Sequence, residues 1–128
     1  NQFNGTVPLE VANLTKLTIL RLDQNNFTDI IQPALVSALT NLESSYLSTN
    51  RFYGTIPTEF GLLTSLRILL LDDNMLTGTL PETFGNCVNL ETLQLNGTAL
   101  NGSVPSAVCG IITASNGQLS ADCSEISC

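Results

Sequence analysis

The chain of 128 residues is 43% hydrophobic and 12% charged, and it contains neither histidine nor tryptophan. The lack of histidine removes the commonest general base and metal ligand, and a net charge of −7 with only four basic residues excludes a basic stripe for nucleic acid. No apolar run approaches the ~18 residues of a membrane-spanning helix. The composition therefore favours one domain without a metal, a cofactor or a nucleic-acid partner.

The chain is organised by a repeat of about 24 residues. Complete copies begin at Leu17, Leu42, Leu66 and Leu90, and a truncated copy precedes them. Each complete copy opens on a frame of alternating leucines, which reads LTILRLDQN, LESSYLSTN, LRILLLDDN and LETLQLNGT in turn. Each then continues into a second segment, seen as QFNGTVP, FYGTIP, MLTGTLP and ALNGSVP.

The first half of each copy predicts a short strand with one buried face, because leucine alternates with other residues. Strands that recur at this period stack as parallel neighbours, and the asparagine after each strand can bond the backbone of the next turn as a ladder (Asn25, Asn50 and Asn74). The second half supplies further inward columns of Phe, Leu, Ile and Val, with a glycine that bends the return and a proline that ends it. These columns predict a right-handed solenoid with a parallel concave sheet and returns of 3₁₀ turns or short strands.

Two copies depart from the pattern. In the copy that starts at Leu17, the glycine and proline positions hold Asp29 and Gln32, and one residue is inserted before Leu39. We expect that coil to bulge and to lack its second, convex strand. In the next copy Ser45 replaces an inward leucine, which predicts either a partial void or a backbone partner for its hydroxyl.

The consensus LxxLxLxxNxLxGxIPxxLGxL resembles the plant-type leucine-rich repeat. That repeat is found in receptor-kinase ectodomains, polygalacturonase-inhibiting proteins and secreted leucine-rich-repeat proteins of plants and algae. The resemblance covers residues 1 to about 112, and the tail LSADCSEISC is similar to the end of secreted diatom-type repeat proteins. It implies a non-catalytic module for extracellular recognition of a protein or peptide ligand, or of a glycan.

The two ends of the solenoid differ. Residues 1–112 are predicted to hold the repeats, and residues 113–128 a degenerate cap in which Leu119 keeps a strand position and Asp122 the ladder position. The N-terminal edge has no cap, so further repeats or another chain would cover it, and the absence of an initial Met indicates a mature or clipped piece of a longer protein.

Four cysteines lie in the last third of the chain. Cys87 falls in an inward leucine column and is predicted to be a buried free thiol. Cys109 is expected to form a disulfide with Cys123 or Cys128, and both pairings stay open. Five glycosylation sequons accompany these cysteines and together favour a secreted or cell-surface protein: Asn4, Asn13, Asn26, Asn96 and Asn101.

The residues between the leucines are predicted to point outward on the concave sheet, where a ligand would bind. Their mixed aromatic, apolar and acidic character suits a peptide or protein surface. The candidates are Arg21, Asp23, Tyr46, Ser48, Leu70, Asp72, Gln94 and Asn96. A further column beyond them reads Gln24, Thr49, Asp73 and Gly97.

Other functions receive less support. Asp23 and Asp72 lie two coils apart, about 10 Å at ordinary strand spacing, which is too far to share a calcium ion. No base is available to activate a serine or threonine, so an enzyme is not expected. A structural role in a cell wall or matrix is the main alternative. A remote one is binding to ice or a crystalline polysaccharide through an outward row formed by Thr6, Thr55, Thr79 and Ser103, which Ile30 interrupts.

Overall fold

The computed structural model describes residues 2–121, leaving Asn1 and residues 122–128 outside the description. Within that range the chain forms ten short strands: β1 (Asn4–Gly5), β2 (Ile19–Arg21), β3 (Asn26–Phe27), β4 (Ser44–Tyr46), β5 (Tyr53–Thr55), β6 (Ile68–Leu70), β7 (Met75–Gly78), β8 (Thr92–Gln94), β9 (Ala99–Leu100) and β10 (Gln118–Ser120). Two α-helices and three 3₁₀ helices connect them: α1 (Pro33–Ala38), α2 (Ser106–Ala114), and the 3₁₀ helices Leu9–Asn13, Thr58–Leu62 and Glu82–Asn86.

The chain winds as successive coils, which we number from the truncated one: residues 2–16, 17–41, 42–65, 66–89 and from 90 onward. One strand from each of the last four coils, together with β10, forms a parallel sheet in the order β10-β8-β6-β4-β2. Equivalent residues are aligned across this concave sheet, so that Arg21, Tyr46, Leu70, Gln94 and Ser120 form one row. The predicted leucine-rich-repeat solenoid with a parallel concave sheet is confirmed.

A second set of strands forms the lateral face, which we define as the outward side of β1, β3, β5, β7 and β9. These strands make two separate parallel sheets, β1-β3 and β5-β7-β9. Between the two sheets, an isolated bridge joins Ile30 to Tyr53. The expectation that the second coil lacks its second strand is therefore wrong in part, because β3 exists and pairs with β1 but does not join β5.

The interruption has a local cause in the two substituted residues of the second coil. The carboxylate of Asp29 accepts hydrogen bonds from the backbone N–H of Ile30 at 2.7 Å and from the side-chain amide of Gln32 at 3.2 Å. The Gln32 amide also donates to the carbonyl of Val7 at 3.1 Å. These contacts close a side-chain-supported turn where the other coils bend at a glycine.

The returns run along the convex side, and three of them follow a proline into a 3₁₀ helix (Pro8, Pro57 and Pro81). In the second coil the return is instead the α-helix α1, which begins at Pro33, a favoured first-turn position. The helix α1 has six residues where each 3₁₀ helix has five, so the inserted residue is accommodated within this return. The domain boundary predicted at residue 112 falls inside α2.

The core is one continuous cluster of inward columns. Phe52, Phe60 and Phe84 are buried, and the rings of Phe27 and Phe52 stack at 6.3 Å between centroids. At the N-terminal edge the columns are open: Phe3 is 68% exposed and Leu14 is 55% exposed. The core is therefore closed within the stack but uncovered at its first coil.

The asparagine ladder fastens each coil to the one before it. Asn50 accepts a hydrogen bond from the N–H of Phe27 at 3.1 Å, and Asn74 accepts one from Phe52 at 3.0 Å. The amide nitrogen of Asn74 donates to the carbonyls of Leu47, Leu71 and Asp72. In the fifth coil Thr98 takes the place of the asparagine, and its hydroxyl donates to the carbonyl of Leu95 at 2.6 Å.

Ser45 and Cys87 occupy inward positions that other coils fill with leucine. Ser45 is buried, and a cavity of about 20 Å³ lies beside it, lined also by Leu20, Leu22 and Leu47. Cys87 is a buried free thiol, as predicted, and lies 3.3 Å from the carbonyl oxygen of Phe60. Burial raises the pKa of the Cys87 thiol to about 11.

Candidate ligand-binding surface

Each strand of the concave sheet presents one outward side chain between two inward positions, most of which hold leucine. In the central row Arg21, Tyr46, Leu70 and Gln94 are register partners on neighbouring strands. At strand spacing of about 4.8 Å, neighbouring members of this row are close enough to contact one side chain of a ligand together. The sheet therefore brings residues up to 73 positions apart in the sequence into one row.

Two of these residues are already in contact. The guanidinium carbon of Arg21 lies 3.9 Å from the centroid of the Tyr46 ring, which is cation–π geometry. The contact holds both long side chains in place at the N-terminal half of the face. Because their rotamers are limited before a ligand arrives, less conformational entropy is lost on binding.

A second pair lies on the neighbouring row. The hydroxyl of Ser48 donates to the carboxylate of Asp72 at 2.5 Å. This bond holds one oxygen of the half-buried Asp72 carboxylate in place. The result is a defined acidic position beside the apolar side chain of Leu70.

A shallow depression covers the centre of the face. Seven of the eight predicted candidates line it, Tyr46 and Leu70 among them. Gln24 and Thr49 also line it and were not among the candidates. Their only signal in the sequence is their position, since each directly precedes a ladder asparagine. Both have a left-handed backbone, with φ of 55°.

Asn96, the eighth candidate, lies outside the depression. Its side-chain oxygen is buried and has no hydrogen-bond partner within residues 2–121. The next residue, Gly97, has φ of +64°, and a Cβ atom there would meet the carboxylate oxygen of Asp73. Asn96 is therefore half-buried beside a tight turn, and its role in ligand binding stays a prediction.

The described residues offer little else that suggests chemistry. Within them no group of three or more His, Cys, Asp or Glu residues could hold a metal ion. None of the described helices is both long and apolar enough to cross a membrane. On the concave face the side chains of Arg21 and Tyr46 are in contact, as are those of Ser48 and Asp72.

The predicted modification sites are spread over several surfaces. Asn4 in β1, Asn26 in β3 and Asn101 directly after β9 lie on the lateral face, whereas Asn13 ends the first 3₁₀ helix. Cys109 in α2 is disulfide-bonded. Its candidate partners Cys123 and Cys128, like the ladder position Asp122, lie outside the described residues, so the pairing stays a prediction.

Comparison with known proteins gives a consistent result. The Leucine Rich Repeat family matches residues 16–38 and 65–87. No curated protein sequence matches the chain. Among solved structures, the repeat ectodomain of the plant membrane receptor kinase GASSHO1/SCHENGEN3 from Arabidopsis thaliana is similar, with a TM-score of 0.79 and 37% sequence identity. That similarity covers 85% of this chain and 13% of the receptor chain.

Two further structures are similar at 31% identity and a TM-score of 0.77. One is the Arabidopsis receptor kinase HAESA; the similarity covers 82% of this chain and 17% of the HAESA chain. The other is a plant ice-binding protein; the similarity covers 83% of this chain and 36% of the ice-binding protein chain. The chain thus spans well under two thirds of each of these proteins. Its repeats, register and neighbours agree: the chain is a leucine-rich-repeat protein of the plant type, folded as a solenoid.

Proposed function

We propose that the chain is an extracellular, non-catalytic recognition module whose concave face binds a peptide or a segment of a protein. The observation that carries the proposal is the depression around Tyr46 and Leu70, with the predicted candidates as its lining. The similar receptor kinases support it: GASSHO1/SCHENGEN3 was solved with CASPARIAN STRIP INTEGRITY FACTOR 2, and HAESA with the peptide hormone IDA and the co-receptor SERK1.

The chemistry of the face defines the ligand further. Leu70 offers an apolar contact at the centre of the depression, and Asp23 and Asp72 line it together with a single cation, Arg21. With a net charge of −7 on the chain, the field around this face attracts positive charge. The proposed ligand is therefore a peptide segment that places an apolar side chain over Leu70 and a basic group beside the carboxylates.

The test uses two tyrosines on different faces. Peptides selected from a random displayed library on the immobilised protein are titrated against Tyr46→Ala and against Tyr53→Ala, since Tyr53 lies on the lateral face and is 48% exposed. Loss of the Tyr46 ring also releases Arg21, so we expect affinity to fall at least about tenfold, or ~1.4 kcal/mol. The Tyr53→Ala variant should bind as the unmodified protein does, and higher salt should weaken binding.

A result in which Tyr46→Ala binds undiminished, or in which only Tyr53→Ala loses affinity, contradicts the concave proposal. In the second case the lateral face would be the binding surface. A purely structural role in a wall or matrix predicts self-association and no selected peptide at all. Analytical ultracentrifugation of the same protein samples measures self-association directly.

One other candidate has a specific observation in its favour. The similar plant ice-binding protein supports a lattice-binding role for the exposed row of Thr6, Thr55, Thr79 and Ser103. Neighbouring coils are closely apposed along the row, because the methyl groups of Thr55 and Thr79 lie beside the glycines of the next coil, Gly78 and Gly102. If this role is correct, the protein should inhibit ice recrystallisation, and Thr55→Lys with Thr79→Lys should abolish the effect while Tyr46→Ala should not.

A further inference from the structure

Two sequons of the same kind lie five residues apart in the fifth coil and have opposite environments. Asn96 opens the sequence NGT and Asn101 opens NGS. The side chain of Asn101 is exposed, whereas Asn96 is half-buried with a fully buried side-chain oxygen. The sequence alone ranks both as acceptors of an N-linked glycan, so the fold must decide between them.

The turn at Asn96 confines one side of its side-chain amide. The side-chain nitrogen that would carry the glycan shares its amide carbon with the buried oxygen, so a sugar on that nitrogen would lie beside the buried side of the amide. Gly97 packs against Asp73 so closely that even a methyl group would collide with the Asp73 carboxylate. The hydroxyl of Thr98, the third residue of the sequon, is bonded to the carbonyl of Leu95 at 2.6 Å.

Asn101 has the opposite surroundings. Its backbone N–H donates to the carbonyl of Gly78 at 2.8 Å, which fixes the backbone at the end of β9. The preceding residue, Leu100, is buried and occupies the inward position. Its own side chain therefore points outward, and the sequon hydroxyl of Ser103 is exposed as well. A glycan attached here projects into solvent without moving the backbone.

We propose that the lateral face carries an N-linked glycan at Asn101 and that Asn96 carries none in the folded protein. Attachment joins the anomeric carbon of an oligosaccharide, held on a lipid pyrophosphate, to the side-chain nitrogen of the asparagine. The amide loses one proton, and the lipid pyrophosphate leaves with the electron pair of the broken bond. A chain modified at Asn96 would have to bury the sugar or leave the turn open, so such chains do not reach the folded state.

The position of the glycan separates the two faces in function. Asn101 lies beside the C-terminal end of the threonine row, because Thr79 packs against the neighbouring Gly102 and Ser103 ends the row. A bulky oligosaccharide there prevents flat contact between the lateral face and a crystal lattice. The concave depression, whose lining does not include Asn101, stays open to a ligand.

This inference rests on the extracellular placement in the proposed function, and the experiment is designed so that each can fail separately. The full chain is secreted from a eukaryotic host behind a cleavable signal. Its glycans are then removed by peptide:N-glycosidase in heavy-oxygen water, which converts each occupied asparagine to a labelled aspartate for mass spectrometry. The map of occupied sites needs no ligand, so failure of peptide binding to the concave face leaves it unaffected.

We expect the label at Asn101 and none at Asn96. The variant Ser103→Ala should lose one glycan on a gel, whereas Thr98→Ala should lose none among secreted molecules. Ser103→Thr keeps the sequon and should keep the glycan, and secretion of Ser103→Ala in a similar amount would show that its loss of the glycan is not a failure of folding. Label at Asn96 in the secreted protein, or an unmodified Asn101, overturns the proposal.

Discussion

The second and fourth coils share the leucine frame but return to the concave sheet by different routes. The fourth coil bends at Gly78, follows Pro81 into a 3₁₀ helix and pairs on both sides in the lateral sheet. The second coil turns on the Asp29 carboxylate, returns through α1 and leaves the lateral sheet interrupted. Their strands nevertheless keep the same register on the concave side.

This difference indicates which parts of a coil control its position. The inward side chains of the second return, Ile31, Leu35 and Leu39, are as buried as those of the regular coils, and the strand and ladder asparagine are retained. The convex backbone between these anchors changes without disturbing the sheet. Ladder and core columns therefore determine the geometry of the candidate site, and the returns tolerate insertion.

The ladder provides the largest expected effect. Asn74→Ala removes one hydrogen bond to the N–H of Phe52 and three to carbonyls, and leaves buried polar groups without partners. We expect the free energy of unfolding to fall by about 4 kcal/mol. Urea denaturation measures it, with Asn25→Ala as the matched control.

The control lies in the second coil at the open edge, where Asn25 bonds the exposed N–H of Phe3 and two part-buried carbonyls. Asn25→Ala should lower the free energy of unfolding by about 1–2 kcal/mol, because water replaces part of the hydrogen bonding that is lost. Equal losses at the two positions would mean that the ladder does not distinguish the interior from the edge.

Substitutions in the turn after each concave strand are expected to give the second-largest change in stability. Gln24, Thr49, Asp73 and Gly97 all have φ between 53° and 64° at equivalent positions. Gly97→Ala adds a Cβ in that conformation and a collision with Asp73, so stability should fall by about 3 kcal/mol. Thr49→Gly removes a β-branched residue from the same conformation and should raise stability by ~1 kcal/mol.

Thermal unfolding of both variants provides the comparison. Opposite signs support backbone strain as the common cause, whereas loss of stability in both would show that Thr49 contributes contacts that outweigh its strain. The concave depression should persist in Thr49→Gly, so its peptide affinity is a useful second measurement.

The Cys87 thiol gives stability a pH dependence at alkaline pH. Burial raises its pKa from 9.0 to about 11 in the folded state, so the unfolded chain loses its proton first. Stability is unaffected below pH 9 and falls as the pH rises towards 11, by roughly 2 kcal/mol over that window. Cys87→Ala should have a lower stability at neutral pH but lack this slope, and persistence of the slope in the variant would assign it to other groups.

The cavity beside Ser45 provides the smallest effect. Ser45→Leu fills it with the side chain found at the equivalent positions Leu20, Leu69 and Leu93, and should raise stability by about 1 kcal/mol. Ser45→Ala removes the hydroxyl without filling the space and separates the two contributions. A loss of stability in Ser45→Leu would mean that α1 has already closed the space that a leucine needs.

Sequence periodicity accounts for most of the architecture and for part of the site. The leucine columns and the ladder recur at a fixed spacing, and parallel stacking then dictates which outward residues become neighbours. The route of the second return could not be predicted, because Asp29 and Gln32 act through bonds to each other and to Val7 in the preceding coil. The contacts Arg21–Tyr46 and Ser48–Asp72 depend on side-chain rotamers, about which the repeat pattern carries no information.

The replacement of the ladder asparagine by Thr98 has a consequence for how the molecule opens. Within residues 2–121, the hydroxyl of Thr98 bonds to Leu95 in its own coil and makes no equivalent bond back to the fourth coil. Since each coil of a solenoid contacts only its neighbours, a weaker junction becomes the natural starting point for local unfolding. Amide hydrogen exchange should therefore be fast from the fifth coil onward and slow at Phe27 and Phe52, with a boundary that marks where the molecule begins to unravel.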